Sequence, residues 1–571
     1  MKNLLSILLI INCHFAFSQE KKYPQDYFAP PMDIPLYLSG NFGEIRTNHF
    51  HAGIDIKTQG VEGIPIKSAA EGFVSRIKIS PYGYGKAIYV VHPNGYTTVY
   101  GHIQKFSETI EKYIKAAQYK KESFSIELFP MSSELQVKKG DLIAYSGNTG
   151  GSGGPHLHFE IRETKSETPL NVMLFGFDIK DNISPIVQSI YAYPLDDTST
   201  VNGSHSKMRF PATGSNGNYR LLVNAIQAYG RIGFGIETID QANGVGNRIG
   251  VYKIDLKEND QLVYSHIIDG IPFNKSRFMN AHIDYEEKVK TGRAVQRSFV
   301  LDNNQLDIYQ LDKKSGPITI NNGEQTTMKY ELQDAYGNES EISFSVAGKK
   351  TSSASRNASI KSSENRYFNF NRRSVILEDD ILVNIPAYYL YEDLEFEFSK
   401  ESNSRCISPL YNLHNKYTPL HSYMNISIKM EGLSDRLKEK SLIVSTTNKR
   451  SFSAEGGKWN GDNLNAKSRT FGSYCIMVDS TPPVIVPVNI SNGANMNGKW
   501  SIMIKATDNL SGIDYYRGEV DGKWILFEYD YKRNLFFHYF DGTIDKGNHT
   551  LTFEVKDGTN NSSKIELKFN N

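Results

Sequence analysis

The sequence predicts a mainly β protein: an N-terminal antiparallel β-sheet domain followed by about three β-sandwich domains. Three observations carry that expectation. Tyr and Phe are abundant, at 34 and 30 residues, and both suit the pleated, half-buried surface of a strand. Short apolar runs alternate with Asn, Asp and Gly turns along almost the whole chain. Helical spacing is clear only over 107–121, where Ile110, Tyr113, Ile114 and Ala117 share one face. A chain of 571 residues is too long for a single core, and about three to five domains are expected.

The chain opens with Lys2, an apolar run over 4–11 broken only by Ser6, and Ala16-Phe17-Ser18. This is the pattern of a secretory signal peptide, residues 1–18, cut after Ser18. Its apolar run is far shorter than the roughly 20 residues a membrane span needs. A competing pattern would lipidate Cys13, but Asn12 is a poor residue to precede such a cysteine. No later stretch is apolar enough to span a bilayer, so the mature chain is expected to lack a transmembrane segment. Export follows, to the periplasm, the cell envelope or the extracellular medium. Removing the leader leaves Cys406 and Cys475 in a compartment where disulfides persist, though sequence does not set their geometry. A net charge of +1 gives no ground for nucleic acid as a partner.

Residues 19–172 read as one domain. A strand over 72–79 precedes two more over 86–92 and 96–103, joined at Pro93-Asn94-Gly95, a strong hairpin signal. Strands over 142–145 and 157–162 complete an antiparallel set. The helix over 107–121 is either a surface excursion or a cover for part of a groove. Beyond Val172 the texture changes to strands and turns. We divide it into an Ig-like β-sandwich (173–348), a Ser-, Lys- and Asn-rich linker (349–365), a β-rich domain (366–480) and a second Ig-like sandwich (481–571) that starts at Thr481-Pro482-Pro483. A local repeat links the two sandwiches. Tyr330-Glu-Leu-Gln-Asp334 with Gly337-Asn338 resembles Phe553-Glu-Val-Lys-Asp557 with Gly558 and Asn560, and Asp240-Gln-Ala-Asn-Gly244 resembles Asp508-Asn-Leu-Ser-Gly512.

Polar residues of chemical interest interrupt apolar strands of the first domain. In His51-Ala-Gly-Ile-Asp55, strand alternation puts His51, Gly53 and Asp55 on one face, where a His and a carboxylate can share a cation. In His156-Leu-His158-Phe-Glu160, both histidines share a face while Leu157, Phe159 and Ile161 suit the core. The loop before them, 147–155, is dense in glycine and can bring backbone close to a ligand. Tyr100-Gly-His102 ends a strand, and alternation groups Thr98, Tyr100 and His102 on one face. Singly, each feature suits an ordinary hydrogen-bonded histidine or turn; jointly they suggest a metal site.

These segments resemble the lysostaphin/LytM-type zinc metallopeptidases of family M23. The family pattern is H-x-x-x-D, a later single His, then H-x-H within G-P-H-L-H-F-E. Here stand His51-Ala-Gly-Ile-Asp55, Tyr100-Gly-His102 and Gly154-Pro-His-Leu-His-Phe-Glu160. The resemblance covers roughly the first third of the chain. It implies Zn2+ held by His51, Asp55 and His158, with His102 and His156 as catalytic histidines. It also implies a secreted endopeptidase acting on peptidoglycan stem peptides or cross-bridges. His49 is set aside, because only His51 has an Asp four residues on. Glu160 shares the histidine face and is expected to support a ligand or meet solvent. Two other readings compete. One is a catalytically silent regulator of another wall hydrolase, a role whose members lose metal ligands. The other is a cell-wall-binding protein using the C-terminal β domains, through protein partners or through Trp459, Trp500 and Trp524 stacked on sugars.

Overall fold

In the computed structural model, residues 23–351 and 366–571 are described; the leader at 1–18, with Cys13, and most of the linker at 349–365 lie outside them. Alternating apolar residues pair into one antiparallel sheet in the first domain. Its strands are β1 (Leu38–Gly40), β2 (Ile54–Lys57), β3 (Gly72–Ile79), β4 (Lys86–Val91), β5 (Tyr96–Gly101), β6 (Ile126–Leu128) and β7 (His156–Glu163). The spatial order is β1-β2-β7-β5-β4-β3-β6, so β7 lies between β2 and β5. The Asn-Gly hairpin forms between β4 and β5, with Gly95 at a φ of 85° that glycine adopts without a steric cost. One face of the sheet packs Ile54, Ile56, Tyr100, Leu157, Phe159 and Ile161 into the core. Each such side chain contributes about 1.5–3 kcal/mol by leaving water.

Helix α1 (Glu108–Lys121) buries Ile110 and Ile114 against this core. Part of its outer side seats the last domain, while Glu108 and Lys112 stay exposed. The Trp524 ring meets Tyr119 edge-on at 5.2 Å, and Tyr119 Oη donates to Asp541 Oδ2 at 3.0 Å.

The second domain is a mixed sheet folded around one long strand, Ala225–Ile239, which pairs antiparallel with Ile186–Pro194 at one end and parallel with Glu339–Gly348 at the other. Three short helices, Phe273–Ser276, Met279–His282 and Tyr285–Thr291, are inserted in it. Phe278, Met279, Ala281 and Ile283 from this insertion enclose Phe42 and Phe50 of the first domain. The insertion contributes to the wider spacing of the repeat in its first copy, 94 residues from Asp240 to Asp334 against 49 from Asp508 to Asp557. The third domain has two five-stranded sheets around one core, with Cys406 and Cys475 joined in a disulfide. The last domain stacks a four-stranded on a five-stranded sheet. Of the three tryptophans, Trp459 packs on its own domain, Trp524 on the first, and Trp500 is 82% exposed. Among the described residues no helix is long and apolar enough to cross a membrane.

Candidate metal centre

The register of β2 against β7 builds the centre. His158 stands opposite Asp55 on one side and Gly101 on the other. His51 lies just before β2, and a tight approach of chains brings it in: a Cβ on Gly53 would fall 2.2 Å from the Phe159 carbonyl oxygen. Gly53 is therefore required by backbone contact with β7. His49, two residues away, turns its ring to the Thr47 carbonyl.

Three donor atoms converge. Asp55 Oδ1 is 3.0 Å from His51 Nε2 and 2.9 Å from His158 Nδ1, and those nitrogens are 3.0 Å apart. The outer nitrogens account for the ring protons. His51 Nδ1 donates to the Asn41 carbonyl at 2.8 Å, and His158 Nε2 donates to Glu160 Oε1 at 2.8 Å. Those oxygens only accept, so both rings turn a lone pair inward. Two lone pairs and a carboxylate oxygen in mutual contact, all buried, require a positive charge between them. Without a metal, a proton supplies it. Burial opposes charging His158, but its bonds to Asp55 and Glu160 outweigh this and raise the imidazole to about 9. Asp55 is held well below the usual carboxylate range; its burial is outweighed by His51, His156 and His158.

His156 and His102 flank the cluster. His156 Nε2 is 3.4 Å from Asp55 Oδ1, and the rings of His102 and His156 are 4.7 Å apart. Each is anchored through Nδ1 to a carbonyl of the glycine-rich loop, His102 to Thr149 and His156 to Gly154, both at 2.8 Å. Each therefore carries its proton on Nδ1 and presents a lone pair at Nε2. Burial among His158 and His156 pushes the His102 imidazole down to about 3, which keeps it neutral.

One expectation from alternation is corrected. Thr98 and Tyr100 share a face, with Thr98 Oγ1 donating to Tyr100 Oη at 3.0 Å, but His102 does not join them. Tyr100 pairs with Phe159 in the core and takes a hydrogen bond from the Ala69 amide. The strand ends at Gly101, and His102 adopts a left-handed φ of 59° that swings its ring to the metal side. His51 likewise reaches the centre from a loop, not from a continuous strand.

Glu160 is fully buried behind His158, and further residues that sequence reasoning missed complete the support. Tyr84 Oη donates to Glu160 Oε1 at 2.5 Å, and its ring stacks on His158 at 4.9 Å. Arg162 Nε donates to Glu160 Oε2 at 2.6 Å, and burial of Glu160 is outweighed by Arg162, which holds its carboxyl down at about 2. Arg46 Nη2 donates to Asp55 Oδ2 at 2.9 Å. Arg162 was within reach of pattern reading, since it continues the His156, His158, Glu160 alternation; Tyr84 and Arg46 had no such signal.

Other domains reach this region too. Asn41, whose carbonyl orients His51, pairs through its side chain with both backbone groups of Gly250 at 2.8 Å. From the last domain, Lys532 Nζ donates to the carbonyls of Asn148 (2.5 Å) and Ser152 (3.0 Å) in the loop that anchors His102 and His156. Beside it, Glu528 pairs with the buried Lys86 at 2.8 Å.

Comparison with known proteins agrees with this geometry. The peptidase family M23 profile matches residues 49–119 and 124–171, and the Zu5-like domain profile matches 365–479. The chain is 31% identical over 118 residues to DD-carboxypeptidase/endopeptidase Mpg of Neisseria meningitidis serogroup B, a stretch covering 21% of each chain. It is 34% identical over 135 residues to an uncharacterized metalloprotease of Haemophilus influenzae, covering 24% of this chain and 22% of that one. Identity to the peptidoglycan DD-endopeptidase ShyA of Vibrio cholerae is 28% over 137 residues, 23% of this chain and 26% of that one. The match thus spans only about a fifth to a quarter of these relatives' length. Among solved structures, the catalytic domain of lysostaphin from Staphylococcus simulans is 24% identical, covering 24% of this chain and 87% of its own, with a TM-score of 0.18. Residues 49–171, which carry the paired histidines and the aspartate, are thus similar to peptidase family M23, with the family model matching 49–119 and 124–171.

Proposed function

We propose that this chain is an exported zinc-dependent endopeptidase that hydrolyses peptide bonds in bacterial peptidoglycan. The observation that carries the reading is the convergence of His51 Nε2, Asp55 Oδ1 and His158 Nδ1, with the Nε2 atoms of two anchored imidazoles beside them. Two nitrogens and one carboxylate oxygen suit zinc, and three protein donors are the number that catalytic zinc sites use. When bound there, zinc supplies Lewis acidity to the scissile carbonyl and to the attacking water. His156 takes a proton from that water at Nε2 as its oxygen bonds to the carbonyl carbon. The same imidazole returns the proton to the amine nitrogen as the C–N bond breaks, leaving a carboxylate and an amine. His102 positions the water or meets the oxyanion; exchanging the two histidines leaves the proton balance unchanged. The anchors at Thr149 and Gly154 keep both lone pairs aimed at the centre. The substrate class rests on the relatives named for DD-endopeptidase action. The apolar leader at 1–18 supports delivery to the envelope.

Digestion of purified peptidoglycan, with fragments read by mass spectrometry, tests this. New peptide termini are expected from the zinc-loaded chain and not from the chelated protein or from His158→Ala. A folded, zinc-loaded chain that leaves the peptidoglycan intact would overturn the proposal.

A further inference from the structure

The repeat noticed in the sequence encloses a cluster of three carboxylates in each Ig-like domain: Asp181, Asp240 and Asp334 in the first, Asp479, Asp508 and Asp557 in the last. Within each trio, one carboxylate oxygen per residue lies within 4.8 Å of the others. The bonding around the third aspartate repeats between the two domains. Asp334 Oδ1 and Oδ2 accept from Asn338 N (2.9 Å) and Nδ2 (2.6 Å); Asp557 accepts in the same way from Asn561 N (2.8 Å) and Nδ2 (2.6 Å). The partner of Asn338 is thus Asn561, one residue beyond the Asn560 that sequence comparison aligned. Asp181 and Asp479 each stand four residues before a proline, Pro185 and Pro483, whose carbonyl accepts from a serine hydroxyl, Ser340 (2.5 Å) and Ser563 (2.6 Å).

An independent observation points to a ligand. Asp240 is 1% exposed, and neither of its carboxylate oxygens has a hydrogen-bond partner. Asp181 Oδ2 and Asp508 Oδ1 are likewise buried and unpartnered. Among the described residues no Lys or Arg forms an ion pair with any of the six aspartates. A buried carboxylate without a counter-charge is strongly disfavoured, and three together repel one another. Burial beside Asp334 and Asp181 accordingly pushes the Asp240 carboxyl up to about 8. A cation among them removes both penalties. With oxygen donors alone, the set suits a hard ion that accepts many oxygens in flexible geometry.

We propose that each Ig-like domain binds one calcium ion, at Asp181/Asp240/Asp334 and at Asp479/Asp508/Asp557. Asp181 lies in the segment entering the first sandwich and Asp479 in the segment entering the last, so each ion ties the incoming chain to the loop of the second aspartate and to the turn after the third. Calcium is then a stiffener of domain junctions, distinct from the zinc chemistry of the first domain.

The test is equilibrium dialysis of the full mature chain, saturated with zinc, against radioactive calcium, together with thermal melts. The wild type is expected to bind two calcium ions per chain and to melt several degrees higher with calcium. Asp240→Asn and Asp508→Asn should each bind one, and the double variant none, with its calcium-induced shift lost. Failure of the wild type to bind calcium at millimolar concentration overturns the proposal without any variant. Retention of two ions by both single variants overturns the assigned sites.

Discussion

His51, Asp55 and His158 converge on one point with two nitrogens and one oxygen, whereas Asp181, Asp240 and Asp334 converge with oxygens alone. Both arrangements concentrate electron pairs where water cannot screen them. They differ in how far the protein fixes each donor. Every donor of the first cluster is held from behind: His51 by Asn41, His158 by Glu160, Asp55 by Arg46. In the acidic cluster, Asp334 is held by Asn338 while Asp240 has no hydrogen-bond partner on either oxygen. Rigid, nitrogen-rich donors suit a small borderline cation used for chemistry; looser oxygen donors suit a larger hard cation used as a staple. Donor type and the stiffness behind it distinguish the two, since burial and negative charge are common to both.

The largest test of that contrast removes a donor from the rigid cluster. His158→Ala is expected to lose zinc and to lower hydrolysis by about 10³-fold or more, since Lewis-acid stabilisation of several kcal/mol disappears. Zinc content by elemental analysis and initial rates on peptidoglycan read both effects. Loosening the support is next. Tyr84→Phe removes a hydrogen bond to Glu160 while leaving the ligands intact, and Glu160→Gln weakens the hold on the His158 Nε2 proton. Zinc affinity should fall about 10- to 100-fold for Glu160→Gln, and less for Tyr84→Phe. Competition with a chromogenic chelator measures it; unchanged affinity in both would sink the claim that stiffness matters.

The acidic cluster should respond with the opposite sign. In calcium-free buffer at pH 7, the Asp240 carboxyl, pushed up to about 8, must take up a proton on folding; Asp240→Asn removes that cost and is expected to raise stability by about 1–2 kcal/mol, shifting the melting temperature up a few degrees. A lower melting temperature would mean that the carboxylate is compensated in a way the bonding does not show. Buried imidazoles outside the metal cluster sharpen the contrast further. His282 bonds Gln296 and Tyr309, and burial brings it down to about 4. The unfolded chain binds that proton more tightly, so stability should fall as pH drops from about 6.5 to about 4 and level off below. The loss is on the order of 3 kcal/mol for a fully buried histidine. Urea midpoints at pH 7 and pH 5 should differ in the wild type and differ by less in His282→Gln, since His102 keeps its own share of the pH dependence.

Much of the centre was legible in sequence because its residues are local to two strands. The alternation His156 to His158 needs only strand geometry, and Ile54 and Leu157 are fully buried as that geometry requires; His51 was found by its spacing to Asp55, although it reaches the centre from the loop before β2. His102 was found by its motif, but the face assigned to it by alternation was wrong, because a positive φ lies outside what a strand pattern encodes. Tyr84 and Arg46 were invisible: each meets the centre through folding of distant segments, with no spacing rule to announce it. The match of 365–479 to a Zu5-like domain also lay beyond a reading that saw only β-rich texture there.

Sequence by itself determined the β architecture and the candidate ligand set, since both rest on residue types at short, regular spacing. Sequence also contained the aspartate pairs of the second and last domains, visible as a faint repeat of unknown purpose. Only the tertiary structure decided that Asp181 joins Asp240 and Asp334, across 59 and 94 further residues of chain. It alone seated Lys532 of the last domain on the loop that anchors His102 and His156, 384 residues away from Asn148. Local periodicity carries information about neighbours along the chain. Contacts across hundreds of residues are selected by the packing of whole domains, which no short pattern records.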